Sequence, residues 1–193
     1  PIHIIEYLNA RRKRMKVQEI KKYFVLFYMF GFLAGILSAN FIAGEYLADL
    51  GIFHEFFMEQ YMQTPIDNSE YFWYLLRLRI TPLVILGLAG CTKFRKAAVL
   101  LFLMWTGLLS GLILTVAVMQ RGFGGILLCL VGVLPQLPLY TAGYLILLWF
   151  LFCYPKRTWS AVKTICFFLF MAVGLILECT VNPVLMRMFL SSI

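Results

Sequence analysis

Charged residues are scarce in this chain. Only 13% of its 193 residues are Asp, Glu, Lys or Arg, whereas soluble domains contain about 25%. Apolar residues make up 62% of the sequence, and the mean hydropathy is +0.87. The shortage of charge excludes an ordinary soluble domain, and the lack of long polar tracts excludes a mostly disordered chain.

Residues that bind metals or carry out catalysis are also few. The chain has two histidines and five widely spaced cysteines, without a Cys-x-x-Cys pair. A zinc site of recognised spacing is therefore excluded, and the cysteines are expected to pack as small apolar residues. Gly-x-Ser-x-Gly, His-Glu-x-x-His and Walker motifs are absent. The sequence predicts a protein that is not an enzyme and that has no cofactor.

Long apolar runs with few or no charged residues make up most of the sequence. A helix of about 20 apolar residues crosses the hydrocarbon core of a bilayer. The runs predict five crossings, which are residues 23–44, 71–92, 97–120, 122–155 and 164–186. The predicted fold is therefore an all-α polytopic membrane bundle that forms one domain over residues 1–193.

The fourth run contains a predicted helix break. At 34 residues it is too long for one upright helix and too short for two helices with a loop. Its centre reads Leu134-Pro135-Gln136-Leu137-Pro138, and prolines interrupt helices. We expect the Gln136 amide to satisfy backbone groups freed by the break. The alternative is a substrate site, which broken helices form in transporters.

Basic residues are concentrated between alternate runs. The net charge is +8, and 13 of the 17 Lys and Arg residues fall in the amino-terminal segment and in the loops after the second and fourth crossings. The positive-inside rule predicts that these segments lie in the cytoplasm and that the carboxyl terminus lies outside the membrane. Assigning the clusters to loops also argues against nucleic-acid binding.

The amino-terminal 22 residues combine apolar and basic positions. Ile4, Ile5 and Leu8 have helical spacing and precede a run of basic residues. This pattern predicts a cytoplasmic amphipathic helix on an anionic membrane surface. An ordinary basic flank before the first crossing is the alternative.

An acidic segment follows the first crossing. Residues 45–70 contain six of the nine acids and no Lys or Arg, which favours an external location. Leu50, Phe53, Phe57 and Tyr61 repeat at intervals of three or four and predict an amphipathic helix. Its apolar face is expected to dock on the bundle, on lipid or on a partner protein.

Three charged residues lie within predicted crossings. Arg77 and Arg79 occur in the second crossing and Glu178 in the fifth, all assigned to the outer half of the membrane. Because isolated charges in hydrocarbon are costly, we predict that Glu178 pairs with Arg77 or Arg79. The alternative is that each side chain extends toward the interface.

Two short glycine motifs and two prolines complete the pattern. Gly31 and Gly35 lie in the first crossing, and Gly107 and Gly111 in the third, each pair four residues apart. Such spacing lets helices approach closely. Pro82 predicts a kink in the second crossing, and Asn182-Pro183 a break in the fifth.

Two stretches resemble the stage II sporulation protein M family. Residues 125–136 carry a Leu-Pro-Gln break, and residues 177–185 look like the family's terminal Glu-x-x-Val-x-Pro-x-Leu pattern. The length, the order of five crossings, the basic amino terminus and the external aromatic helix also agree. In this chain Leu137-Pro138 follows the Gln, where family members commonly have Asn. The matching positions are Leu134, Pro135, Gln136, Glu178, Val181, Pro183 and Leu185.

The resemblance implies a non-enzymatic scaffold in the membrane of an endospore-forming bacterium. Such scaffolds hold the hydrolases called stage II sporulation proteins D and P, which remodel peptidoglycan during engulfment. The external segment, with Leu50, Phe53, Phe57 and Tyr61, would be the contact surface. Membrane lipids and a second copy of the chain are the other expected partners. A permease-like subunit of a transport complex is the alternative function.

Overall fold

The chain folds almost entirely into helices. The computed structural model describes residues 2–42, 55–64, 68–154 and 159–191, and within these ranges it contains seven α-helices and no strand. The helices are α1 (Ile2–Ile42), α2 (Glu55–Gln63), α3 (Asn68–Gly90), α4 (Arg95–Arg121), α5 (Phe123–Val133), α6 (Leu137–Cys153) and α7 (Ala161–Leu190). The predicted all-α fold class is confirmed.

Four of these helices are long and apolar enough to cross a membrane. The qualifying segments are Gln18–Phe41, Ser69–Gly90, Arg95–Arg121 and Ala161–Leu190. Helices α5 and α6 meet at a bend of 63° and make a fifth crossing if they are counted as one broken span. The break lies at Leu134-Pro135-Gln136, as the two prolines predict. The structure therefore agrees with a multi-pass membrane protein.

Two apolar clusters determine which helix ends lie together. One cluster joins the middle of α1 and the start of α4 to the ends of α3 and α6, through Phe24, Leu86, Val99, Leu103, Leu148 and Leu151. We call this the basic end, because Lys21, Lys22, Lys93, Lys96 and Lys163 lie near it. The other cluster joins α2 to the ends of α1, α4 and α7, and we call it the α2 end.

Helices α1 and α4 pack closely through both glycine motifs. A Cβ atom added at Gly31 or Gly35 would collide with the backbone carbonyl of Met104 or Leu108. A Cβ atom at Gly107 or Gly111 would collide with the carbonyl of Tyr28 or Phe32. Since residue numbers increase together along both helices, α1 and α4 run parallel. The small-residue motifs therefore form the contact that their spacing predicts.

Large apolar side chains cover much of the outer surface. Phe30, Phe41, Leu88, Trp105 and Ile165 are each more than half exposed. Exposed apolar area of this extent is unfavourable in water and is suited to contact with lipid chains.

The amino-terminal segment differs from the predicted separate helix. Residues 2–22 are helical, but α1 continues through residue 22 without interruption to Ile42. No proline or glycine lies between Ile2 and Phe30 to end the backbone hydrogen-bond ladder. The predicted boundary at residue 22 is thus absent, and these residues extend α1 beyond the crossing.

Helix α2 docks on the bundle, which was one of the predicted alternatives. Met58 is 7% exposed and packs with Ala39, Val116 and Leu128. Leu50 and Phe53 lie outside the described residues, as does the side chain of Phe57. The docking of α2 therefore depends, among the described side chains, on Met58 and on Tyr61, which is half-buried.

Helices α3 and α7 both continue through a proline. The predicted break at Asn182-Pro183 is absent, because α7 remains helical from Ala161 to Leu190. Pro82 likewise lies inside α3. A proline removes one backbone donor, and packing against neighbouring helices lets a membrane helix tolerate this loss.

Candidate functional site

A carboxylate lies deep within the bundle, on α7. Glu178 is 6% exposed and is 17 residues from the start of α7, or about 26 Å along the helix axis at 1.5 Å per residue. Leu75, Leu175 and Cys179 form an apolar cluster around this level of the bundle. A carboxylate in such surroundings needs a charged or hydrogen-bonding partner.

Arg79 provides the charged partner. Its Nε atom donates to Glu178 Oε2 at 3.0 Å, and its Nη2 atom donates to Oε1. Two parallel hydrogen bonds of this kind fix the guanidinium and carboxylate planes relative to each other. Of the two arginines considered from the sequence, Arg79 therefore makes the ion pair. Arg77 is exposed and is not paired with an acid among the described residues.

The ion pair lies near the middle of the crossing. Arg79 is eleven residues from each end of α3, which is about 16 Å from either end. The sequence places both arginines in the outer half, close enough to an interface for extension into water. Helix α3 begins at Asn68, three residues before the predicted start, which moves Arg79 toward the centre. Its guanidinium accordingly turns toward Glu178.

Tyr140 of α6 completes the cluster. Its hydroxyl donates to Glu178 Oε2 at 2.6 Å, and the Arg79 guanidinium carbon lies 4.5 Å from the centre of its ring. A cation over an aromatic face is stabilised by the ring quadrupole. The ring occupies space left by Gly174, because an added Cβ atom there would lie 3.0 Å from the Tyr140 ring. Arg79, Tyr140 and Glu178, which we call the intramembrane polar cluster, thus connect α3, α6 and α7.

Sequence reasoning did not identify Tyr140. One signal was available, since Tyr140 follows Gln136 by four residues and so lies one helical turn further along. Its hydroxyl also needs a partner inside hydrocarbon. The partner could not be chosen from these facts, because it depends on how α6 is rotated against α7.

Gln136 is buried at the break between α5 and α6. It is 4% exposed, and its Nε2 atom donates to the Gly132 carbonyl at 2.7 Å. In an uninterrupted helix that carbonyl accepts from the backbone N–H of residue 136. The side chain therefore satisfies a backbone carbonyl at the break. This is the first of the two roles that the sequence predicts for Gln136. Its Oε1 atom is buried and has no hydrogen-bond partner among the described residues.

Asn182 lies one turn after Glu178 on α7. Its Oδ1 atom is also buried without a hydrogen-bond partner in the described part of the chain. Buried amide oxygens without a partner are uncommon and costly. Together Gln136 and Asn182 leave two buried acceptors at the level between the polar cluster and the α2 end.

The remaining residues of the two motif-like stretches have different environments. Pro183 is buried in α7. Leu134, Val181 and Leu185 are exposed on the apolar surface, so they do not join the polar cluster. Of the motif positions, Glu178 belongs to this cluster, and Gln136 lies one turn before Tyr140.

The chemistry of the polar cluster is that of a fixed ion pair. Both carboxylate oxygens of Glu178 accept hydrogen bonds from Arg79, and one also accepts from Tyr140. Among the described residues no group of three or more His, Cys, Asp or Glu side chains could hold a metal ion. The arrangement can hold three helices in one register.

No family model, curated protein or solved structure matches this chain.

A second site lies where α2 meets the end of α7. Arg187 Nη2 donates to the Thr64 carbonyl at 2.8 Å, just after α2 ends. Burial raises the pKa of the Tyr61 phenol, and the nearby positive charge of Arg187 lowers it by a smaller amount. Glu59, Gln60 and Met62 are exposed on the same short helix. Helix α2 is thus anchored on one face and open on another.

Proposed function

We propose that this protein is a non-enzymatic membrane scaffold that recruits peptidoglycan hydrolases during septal wall remodelling and engulfment in endospore formation. The hydrolases would resemble stage II sporulation proteins D and P, as the resemblance implies. The observation that carries the proposal is the position of α2. Met58 and the Arg187 contact hold it on the bundle, while Glu59, Gln60 and Met62 are left exposed. A helix that is fixed on the bundle and exposes one face to solvent is suited to binding another protein.

The proposed orientation places the α2 end outside the cell. The basic end carries the lysines between the crossings, and the positive-inside rule favours the cytoplasm for such an end. Peptidoglycan lies outside the plasma membrane, so a surface that binds hydrolases must lie there too. Leu50, Phe53 and Phe57 remain the predicted apolar part of this surface, whereas Tyr61 is half-buried beside Arg187 of the bundle.

Photo-cross-linking in the native cell during engulfment tests the docking surface. A photoreactive amino acid replaces Met62 at the α2 end, and adducts are identified by mass spectrometry after purification. We expect adducts with peptidoglycan hydrolases, because Met62 is 41% exposed beside the docked face of α2.

The matched control replaces Val162 at the basic end, which is 68% exposed. It should give no hydrolase adduct. Absence of hydrolases at position 62, or equal recovery at both positions, would contradict the scaffold. Replacing Phe53 and Phe57 by Ala in a correctly inserted protein is expected to lower hydrolase recovery by pull-down.

A permease-like subunit is the second function, and the two unpartnered amide oxygens favour it. Gln136 Oε1 and Asn182 Oδ1 near a broken helix are acceptors that a transported polar molecule could contact. In a variant without the five native cysteines, Gln136→Cys would then react with a soluble thiol reagent. Phe123→Cys, 75% exposed at the α2 end, is the positive control. An unreactive position 136 would contradict a water-filled path.

A further inference from the structure

A groove opens between α1, α6 and α7 near the basic end. Its volume is about 530 Å³, which is within the range of ligand sites. Phe24, Leu145, Trp149 and Phe150 are among the apolar residues that line it, and Lys21 and Lys163 contribute its charge. The groove is therefore apolar along its length and basic at one end.

The packing of α1 explains why the groove exists. Both glycine motifs draw α1 against α4, and in the described part of the chain the backbone of α1 does not pack closely on α6 or α7. It meets α6 through aromatic rings, with Phe24 lying 6.2 Å from Trp149 and 5.5 Å from Phe152 between ring centres. These edge-to-face contacts separate the two backbones and leave space beside them.

The two lysines lie at one level of the bundle. Lys21 is one turn before Phe24 on α1, and Lys163 is the third residue of α7. Leu145 is eight residues before the end of α6, so the apolar wall reaches about 12 Å toward the membrane centre. A lipid whose acyl chain contacts Leu145 therefore has its headgroup at the depth of the two lysines.

The charge at the mouth of the groove indicates which class of lipid it binds. A shallow depression next to the groove shares Lys21 and adds Lys22, so three lysines surround the mouth. Glu19 is two residues before Lys21, and residues at that separation face different sides of a helix. A basic pocket between membrane helices attracts anionic headgroups. A zwitterionic lipid, which has no net charge, would gain less from the lysines.

We propose that this groove binds one anionic phospholipid, with its phosphate between Lys21 and Lys163 and an acyl chain against Phe24, Leu145 and Trp149. The site is at the opposite end of the bundle from α2. It is therefore independent of hydrolase docking and can be tested separately from it.

The test is lipid retention by the purified full-length protein. Wild-type protein is reconstituted in nanodiscs of equal phosphatidylglycerol and phosphatidylethanolamine, released, and measured by native mass spectrometry. We expect one retained phosphatidylglycerol in excess over phosphatidylethanolamine. Lys21→Gln and Lys163→Gln should each lower this preference by about five-fold, because each removes one positive charge at the headgroup.

Two further variants separate the site from general surface charge. Lys93→Gln removes an exposed lysine of the basic end that does not line the groove, and it should leave the preference unchanged. Leu145→Trp fills the groove with both lysines intact and should reduce retention of the lipid. Equal retention of the two lipids by wild-type protein, an equal loss in Lys93→Gln, or full retention in Leu145→Trp would overturn the proposal.

Discussion

At the scale of single residues, the polar cluster shows how a charge is accommodated inside hydrocarbon. Arg79 makes two hydrogen bonds to Glu178 and lies over the Tyr140 ring. A planar guanidinium can do both at once, whereas an ammonium group cannot form the same two parallel bonds. Desolvating such a pair is costly, so we expect its main effect to be the selection of one arrangement of α3, α6 and α7 rather than a gain in stability.

Removing one member of the ion pair should destabilise the bundle strongly. Glu178→Met leaves Arg79 without its carboxylate, and Arg79→Met leaves Glu178 as an unpaired buried charge. We expect each to cost on the order of 3 kcal/mol. The double variant should be less destabilised than the sum of the two, because it leaves no unpaired charge. Unfolding in mixed detergent micelles, followed by circular dichroism, measures these differences.

Arg77→Met is the matched control for this prediction. Arg77 lies on the same helix, is exposed and pairs with no acid in the described ranges. Its loss should change the unfolding free energy little. Additive effects of Arg79→Met and Glu178→Met would contradict an energetic role for their contact.

At the scale of elements, the contact between α1 and α4 depends on four glycines. Gly31, Gly35, Gly107 and Gly111 each face a backbone carbonyl of the other helix. Tyr28 and Ser110 add a hydroxyl contact of 3.0 Å across the same interface. Because lipid chains are as apolar as the helices, close packing rather than a hydrophobic difference has to hold this pair together.

A larger residue at the centre of this contact should separate the two helices. In Gly107→Leu the new side chain collides with the Tyr28 carbonyl, which is backbone and cannot rotate away. We expect a loss of about 1–3 kcal/mol, the usual cost of overpacking. The loss would appear as a lower thermal unfolding midpoint in detergent.

Gly87→Leu on α3 tests whether any leucine in place of glycine has this effect. An added Cβ atom at Gly87 has no neighbour within 4 Å, so the side chain can extend into lipid. This variant should unfold close to the wild-type temperature. Equal destabilisation by both variants would show that the close contact between α1 and α4 is not responsible.

At the scale of the whole molecule, we expect the two ends of the described chain to lie on opposite sides of the membrane. Phe24 near the middle of α1 lies in the cluster at the basic end, and α7 ends beside α2. With the bent pair α5 and α6 as a single crossing, the chain crosses five times.

Reporter fusions at the two ends should therefore give opposite results. A fusion before residue 2 should report the cytoplasm, and a fusion after Ser191 should report the outside, because the positive-inside rule favours the cytoplasm for the lysine-rich end. A reporter inserted within residues 155–158 should match the amino terminus. If both termini report one compartment, the bent pair is a re-entrant loop or the orientation is wrong.

Several features of the bundle were determined by the sequence alone. Long uncharged runs predict the membrane helices, since transfer into hydrocarbon depends on local composition. Prolines 135 and 138 mark the break between α5 and α6. The cost of an isolated charge in hydrocarbon, together with the similar depths of the charged residues in the membrane, also predicts that Glu178 pairs with an arginine of the second crossing. Each of these conclusions needs only the chemistry of one segment or the energy of one charge in lipid.

Other features were decided by the tertiary structure. The choice of Arg79 over Arg77, the role of Tyr140 and the lysine-flanked groove depend on how each helix is rotated against its neighbours. The continuity of α7 through Pro183 depends on the packing around that residue, because a proline by itself favours a break. Composition determines that a helix enters the membrane, but side-chain packing determines which of its faces meets another helix and which meets lipid.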